Sequence, residues 1–216
     1  QEAELVDIRY NVKGFIIYRP NIMRIINQLY RLYEGELDRR GHSPFLFPVV
    51  IPLSYFRKES EHVEGFEDEV FWVTRAGKHE LEEPLILRPT SETAIYPMYS
   101  LWIRNYRDLP LKYYQSGSVY RYETRATRPL LRGREFLWIE THTVYATVEE
   151  AMDQVKEDMK VAQKVLYEEC GLPFLMMDRP EWDRFAGAKR TYGFDTLLPD
   201  GRVLQVGTTH LLGDNF

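Results

Sequence analysis

Apolar side chains recur at helical spacing from Ile22 to Arg40, with Ile22, Ile25, Ile26, Leu29, Leu32, Tyr33 and Leu37 on one stripe. Pro20 precedes this stripe, Gly41 suits a C-terminal cap, and Pro44 blocks continuation. The pattern then changes to an unbroken apolar run, Phe45-Leu-Phe-Pro-Val-Val-Ile51, of strand type. Pro48 interrupts it and cannot donate to a ladder, so this strand is expected at a sheet edge or an interface between subunits. Val70–Thr74 and Leu85–Leu87 read as short strands around a polar connection containing Gly77. Ser91 to about Asn105 reads as a helix bent at Pro97. Lys112–Gln115, Ser118–Tyr122 and Arg134–His142 read as three further strands, the last two separated by the arginine-rich loop Glu123–Gly133.

The second half opens on the clearest helix. Thr147-Val-Glu-Glu150 is a capping box, and Met152, Val155, Met159, Ala162 and Leu166 form one apolar face that Gly171 and Pro173 end. Phe174–Met177 reads as a strand, and Pro199-Asp-Gly201 joins Thr191–Leu197 to Arg202–Gly207 as a hairpin. Hairpins dominate, with helices set between them, which predicts an α+β fold: an antiparallel sheet with packed helices. No repeat, low-complexity tract or Gly/Ser linker divides the chain, so 1–216 is read as one unit.

Composition changes this picture little. The chain has 216 residues, 44% hydrophobic, with 28 basic against 33 acidic side chains and a net charge of −5. That is long enough to bury a sizeable core and too apolar for disorder. No apolar run approaches the ~20 residues of a membrane span, and the single cysteine, Cys170, excludes a disulfide framework. A soluble, cytoplasmic protein is the expectation. The charge distribution says more. Eight basic residues (Arg104, Arg107, Lys112, Arg121, Arg125, Arg128, Arg132, Arg134) face only Asp108 and Glu123 between Arg104 and Arg134. A solvated basic surface would look similar. Yet the excess is mostly arginine, carries tyrosines and sits in an acidic protein, and arginine's planar fork suits phosphate oxygens. A phosphate-bearing ligand is therefore expected, without a glycine-rich, lysine-containing phosphate loop.

Three segments carry candidate chemistry. In Leu87-Arg-Pro-Thr-Ser-Glu-Thr93 a strand end runs into a helix start, and Thr90 with Glu92 forms an acceptor pair suited to a cationic amine, where simple capping by Thr90 or Ser91 explains only one hydroxyl. In the second, strand alternation places Arg121 with Glu123, and Arg134, Phe136, Trp138 and Glu140 together on the next strand, with Arg132 at its mouth. Arginines outnumber carboxylates there, which a triphosphate would satisfy. The third, Gln205-Val-Gly-Thr-Thr-His-Leu-Leu-Gly213, is a strand losing its apolar character near its end, the bland alternative being a loop with Gly207 and Gly213 as bends. The remaining histidines lack metal-ligand spacing and no nucleophile–base pair is evident, so the chemistry is expected to be electrostatic and positional.

These residues resemble a class II aminoacyl-tRNA synthetase, specifically of the prolyl-tRNA synthetase type found in archaea and eukaryotes. The helix before Phe47-Pro-Val-Val-Ile-Pro52 is similar to the family's first motif, whose proline (Pro48 here) lies in a dimer interface. Arg121-Tyr-Glu123 through Arg132-Gly-Arg-Glu-Phe-Leu-Trp138 resembles the second motif, and Arg88-Pro-Thr-Ser-Glu-Thr93 the loop that separates proline enzymes from threonine and serine relatives. Gln205-Val-Gly-Thr-Thr-His210 with Gly213-Asp-Asn-Phe216 resembles the strand before the third motif. The resemblance implies an antiparallel sheet flanked by helices, activation of L-proline by ATP with Mg²⁺, transfer of the prolyl group to the 3′ end of tRNA(Pro), and a homodimer. Carried over position by position, it implies that Arg121 holds the α-phosphate and the proline carboxylate and that Arg132 clamps the γ-phosphate. Glu123 would lie near adenine, and Gln205 and Thr208 would contact the nucleotide, Gln205 beside its Mg²⁺. Thr90, Glu92 and His210 would surround the proline nitrogen, with Phe66, Glu69 and Trp138 lining the ring pocket.

The chain ends at Phe216, ahead of the family's glycine-rich third motif, the anticodon-binding domain and the zinc-binding extension, and it begins at Gln1 without the usual short leader. It is therefore expected to be the catalytic-core portion of a longer enzyme, with turnover by this stretch alone in question. Lys189 and Arg190 stand where relatives usually have an acidic or small residue and a tyrosine. The alternative reading is a non-catalytic, synthetase-like paralogue that binds an amino acid or adenylate for a regulatory role.

Overall fold

The computed structural model describes residues 3–58 and 67–216. A short antiparallel pair, β1 (Val6–Asp7) and β2 (Ile17–Tyr18), leads into helix α1 (Pro20–Arg39). Proline opens α1 and Gly41 closes it at φ +80°, a left-handed conformation that lets the His42 N–H donate back to the Leu37 carbonyl at 3.1 Å. The apolar run after it is split. Only β3 (Ser43–Pro44) and β4 (Val50–Pro52) pair, and Phe45–Val49 crosses between them with Pro48 exposed. Both strands lie at sheet edges, as a mid-run proline requires. Strand β3 runs parallel to its neighbour, the one departure from antiparallel pairing among the described strands.

After helix α2 (Leu53–Phe56), β5 (Phe71–Ala76) and β6 (His79–Leu87) form a hairpin, with β4 on the far side of β6. Gly77, at φ +61°, makes its turn. The polar stretch read as a connection is the outer half of β6. It projects into solvent, so neither of its faces needs an apolar pattern. Helix α3 (Glu92–Trp102) follows, with Pro97 inside it, and then two ten-residue strands, β7 (Leu111–Tyr120) and β8 (Glu135–Val144). Strand β7 replaces the two short strands expected there, because Gly117 is no break: the Arg88 guanidinium lies against it, and a Cβ at Gly117 would meet Arg88 Nη2 at 2.9 Å. Arg88 also joins two sheets through its backbone, donating to the Val49 carbonyl at 2.9 Å and accepting from the Tyr120 N–H at 3.0 Å.

The capping box forms as expected: Thr147 Oγ1 accepts from the Glu150 N–H at 3.2 Å at the start of α4 (Val148–Ala162). The helix then widens into a π-helical stretch over Gln163–Glu169, so Val161 and Val165 join Val155 and Ala162 in the core, while Leu166 is only partly covered. Strands β9 (Leu175–Asp178), β10 (Arg190–Leu197) and β11 (Val203–Leu211) complete the described chain in the spatial order β11-β10-β9. Leu37, Tyr114 and Val161 form one core cluster between α1, β7 and α4. Ile51, Phe56, Val70 and Ile86 form another beneath the β4-β6-β5 sheet. Among the described residues, no helix is long and apolar enough to cross a membrane.

Candidate active site

An open cavity of about 2040 Å³ lies between the β8 face and the β10–β11 face. It gathers Thr90, Glu92, Arg121, Glu123, Arg132, Trp138, Gln205, Thr208 and His210. Two of the expected residues fall elsewhere, and one is not among the described residues. Phe66 lies outside the described residues; Glu69 sits on the turn Glu67–Glu69 close enough to Arg121 to interact with its charge; and Pro48 lies on the edge segment away from the cavity.

Strand alternation builds the first wall. Phe136, Trp138, Glu140 and His142 share one face of β8, and Arg121, just past the end of β7, lies over it. Its guanidinium carbon stands 5.4 Å from the Phe136 ring centre and 5.5 Å from that of Trp138, and its Nε donates to the Pro89 carbonyl at 3.0 Å. This fixes a half-buried cation beside the strand-to-helix turn that carries Thr90 and Glu92. Thr90 Oγ1 donates to Glu92 Oε2, so the expected acceptor pair is a joined unit. Arg134 departs from its expected face. It lies over the Tyr122 ring at 4.0 Å and donates to the Glu123 carbonyl at 3.1 Å, closing the arginine-rich loop from outside. Arg132, at the mouth, donates to Glu123 Oε2 at 2.9 Å.

The second wall depends on an irregularity. Between Phe194 and Asp195 the pairing of β10 with β11 shifts by one, leaving Val206 as the extra residue. In a regular strand, Gln205 and Thr208 would point to opposite faces. The bulge puts Gln205 opposite Asp195, so Gln205, Thr208 and His210 share the cavity side with Thr191, Gly193 and Asp195. Gly207 is thus part of the strand and no bend, and the Phe194 ring packs on it. His210 Nδ1 bonds Thr191 Oγ1 at 3.0 Å, and its ring lies 4.6 Å from that of Phe185. Burial pushes the His210 pKa down to about 4, against the pull of Glu92, so it is neutral near pH 7.

Beneath Thr90 and Glu92 runs a buried polar network. Ser91 does not cap its own helix: its hydroxyl donates to Glu140 Oε1 at 2.6 Å. His142 Nε2–H donates to Glu140 Oε2 at 3.0 Å. Burial opposes both charges, but this bond and the charge pairing outweigh it, holding the Glu140 carboxyl below and the His142 ring above their ordinary ranges.

Sequence reasoning missed several residues here. Phe185 and His142 line the cavity. Arg179 lies across Gly193, where a Cβ would come within 2.3 Å of its Nη2, and donates to Asp195 and to Gln205 Oε1, the latter at 3.2 Å. His142 continued the alternation of Phe136, Trp138 and Glu140, and Gly193 inside a strand signalled a close approach. Nothing in the sequence marked Arg179. Among the described residues, no group of three or more His, Cys, Asp or Glu side chains is arranged to hold a metal ion.

Residues 71–216 match the family described as the tRNA synthetase class II core domain (G, H, P, S and T). The chain belongs to this family. A proline–tRNA ligase of Thermofilum pendens is 60% identical over 215 residues, covering 100% of this chain and 44% of that protein. One from Nanoarchaeum equitans is 49% identical, covering 100% of this chain and 40% of that protein. Among solved structures, the Giardia lamblia prolyl-tRNA synthetase in complex with prolyl-adenylate superposes with a TM-score of 0.97 at 47% identity, over 99% of this chain and 43% of that one. The Cryptosporidium parvum prolyl-tRNA synthetase complexed with halofuginone and AMPPNP gives 0.92 at 33% identity, over 99% of this chain and 42% of that one. The chain thus spans less than half the length of these relatives. The class II core placement and the antiparallel α+β architecture expected from the sequence are both borne out.

Proposed function

We propose that the chain is the catalytic-core portion, over 1–216, of a proline–tRNA ligase that joins L-proline to ATP as prolyl-adenylate and passes the prolyl group to tRNA(Pro). The observation that carries this reading is the pairing, in one cavity, of an amine-accepting unit (Thr90 and Glu92) with a half-buried guanidinium (Arg121) that faces it. In the first step a proline carboxylate oxygen attacks the α-phosphorus, the new P–O bond forms, and pyrophosphate leaves. Arg121 would hold the carboxylate and the α-phosphate together, and Arg132, released from Glu123, would meet the γ-phosphate. Both supply fixed positive charge where negative charge develops, which is what such transfers require of a protein. In the second step a hydroxyl at the tRNA 3′ end attacks the acyl carbon and AMP leaves.

Glu92, Thr90 and the neutral His210 would accept the proline nitrogen's protons and close around it, Trp138 would wall the ring with Glu69 and Phe66, and Glu123 would face adenine. Gln205 and Thr208 share the face opposite Arg121, suited to the nucleotide. Mg²⁺ bound with ATP would neutralise charge on the phosphates. Gln205, which lines the same cavity, would approach it through its amide oxygen, which here accepts from Arg179. The edge segment around Pro48 exposes Leu46 (76%), Val49 (38%) and Val50 (37%), which supports a homodimer through this edge. A cytoplasmic location fits these substrates.

The test is calorimetric titration of the chain with a non-hydrolysable prolyl-adenylate analogue, with threonyl and alanyl analogues as controls. Tight binding of the prolyl compound alone is expected. Equal affinity for all three, or none for any, overturns the assignment.

A further inference from the structure

Glu140 is buried, and each of its oxygens is engaged by protein. Oε1 accepts from Ser91 Oγ at 2.6 Å and from Gln115 Nε2 at 2.6 Å, while Oε2 accepts from His142 Nε2 at 3.0 Å. Gln115 is itself fixed at its other end, where Oε1 accepts from the Phe47 N–H at 3.0 Å and from Arg88 Nη1 at 3.4 Å. Glu140 therefore stands on an immobile support.

What it holds is the amine subsite. Ser91 lies between Thr90 and Glu92, fully buried. A serine at a helix start ordinarily spends its hydroxyl on its own helix. Here Ser91 gives only its backbone carbonyl to the Ala94 and Ile95 N–H groups, and its hydroxyl goes to Glu140. The orientation of the Thr90–Glu92 turn is thus set from below by β8. The second arm is His142, which lines the cavity two residues further along the same face. The groups facing this ring are Glu140 on its own strand, Glu92 and Tyr96 from α3, and His210 from β11, with Tyr99 donating to the His142 carbonyl at 3.0 Å.

We infer that Glu140 is the positioning residue of the amino-acid subsite: through Ser91 it fixes Thr90 and Glu92, and through His142 it fixes the β8 side of the same pocket. This deepens the proposed function and rests on it. Glu140 touches neither substrate in this reading. Its hydrogen bonds go only to the amine side: the nucleotide contacts of Arg132, Gln205 and Thr208 come from the loop and from β11, which Glu140 does not bond, and only the shared Arg121 feels its charge.

The experiment compares the chain with Glu140→Gln and Ser91→Ala by calorimetric titration with L-proline and, separately, with ATP. The histidine rings are followed by NMR across pH. Lost bonds to a buried charge correspond to roughly 10- to 100-fold in affinity. The expected result is a proline Kd raised by about that factor in both variants, an ATP Kd within about twofold of the parent, and a His142 titration that moves to lower pH in Glu140→Gln alone. Parallel losses for both ligands, or an unchanged proline Kd with an unmoved His142 titration, overturn the inference while leaving the proposed function standing. Failure of the parent chain to bind proline overturns both. Ser91→Ala keeps the Glu140–His142 pair intact and guards against a folding defect in the charge variant.

Discussion

Asp158 offers a stability measurement with a definite sign. It projects from α4 beneath β11, where Oδ1 accepts from Gln154 Nε2 at 2.7 Å and Oδ2 from Thr209 Oγ1 at 3.1 Å. Burial outweighs both bonds and pushes its pKa from 3.8 up to about 6. Between those values the folded chain holds a proton that the unfolded chain has lost. Stability from this group is therefore complete below about pH 4 and falls as pH rises through about 6. At about 1.36 kcal/mol for each tenfold in proton affinity, ionising Asp158 in place costs about 3 kcal/mol near pH 8. Asp158→Asn removes that cost, since a carboxamide can accept from Gln154 and offer its NH₂ to the Thr209 hydroxyl. Urea unfolding from pH 4 to pH 8 should show the variant more stable by up to about 3 kcal/mol at the alkaline end and level with the parent at the acidic end. A difference that stays constant with pH, or a variant that loses ground as pH rises, would refute the reasoning.

Three other perturbations probe the site. Arg121→Ala should lower proline-dependent pyrophosphate exchange by about 10²- to 10³-fold, the usual loss of one positioned charge donor, and near-normal exchange would sink the role given to it. Gly117→Ala forces a Cβ to 2.9 Å from Arg88 Nη2, and denaturant unfolding should show a loss of about 1–3 kcal/mol. Gly193→Ala pushes Arg179 off Asp195 and Gln205, so titration should show ATP binding weakened about tenfold and proline binding unchanged.

Much of the architecture was legible because it rests on local chemistry. Thr147 and Glu150 announce a helix start whatever lies around them, and Gly41 after an apolar stripe announces an end. What misled is long-range. Gly117 reads as a break until Arg88, distant in sequence, is seen lying on it. Ser91 reads as a cap until Glu140, on another strand, is seen to take its hydroxyl. The basic run Arg104–Arg134 mixes three fates that sequence cannot separate. Arg121 lines the cavity, Arg134 braces a loop from outside, and Lys112 donates to the Arg40 carbonyl at 2.7 Å. The shared face of Gln205 and Thr208 was likewise invisible, since it depends on one unpaired residue, Val206, whose effect appears only in the pairing register.

The buried polar network also bears on why this core is not simply apolar. Arg88 is 2% exposed and Glu140 8%, and between them Gln115 relays hydrogen bonds from one charge to the other. Replacing such a group of buried ions with packed hydrophobic side chains is often neutral or stabilising in proteins, so stability alone gives little reason to keep it. Direction does give one. An apolar core fixes distances between elements but leaves a turn free to rotate about its own axis. A hydrogen bond from Ser91 to a carboxylate anchored on β8 fixes that rotation, and with it the bearing of Thr90 and Glu92 toward Arg121. The network couples three elements that no single strand pairing joins: the Phe47 segment, the start of α3 and the inner face of β8. A site that works by holding two substrates in register needs that angular precision more than it needs extra stability.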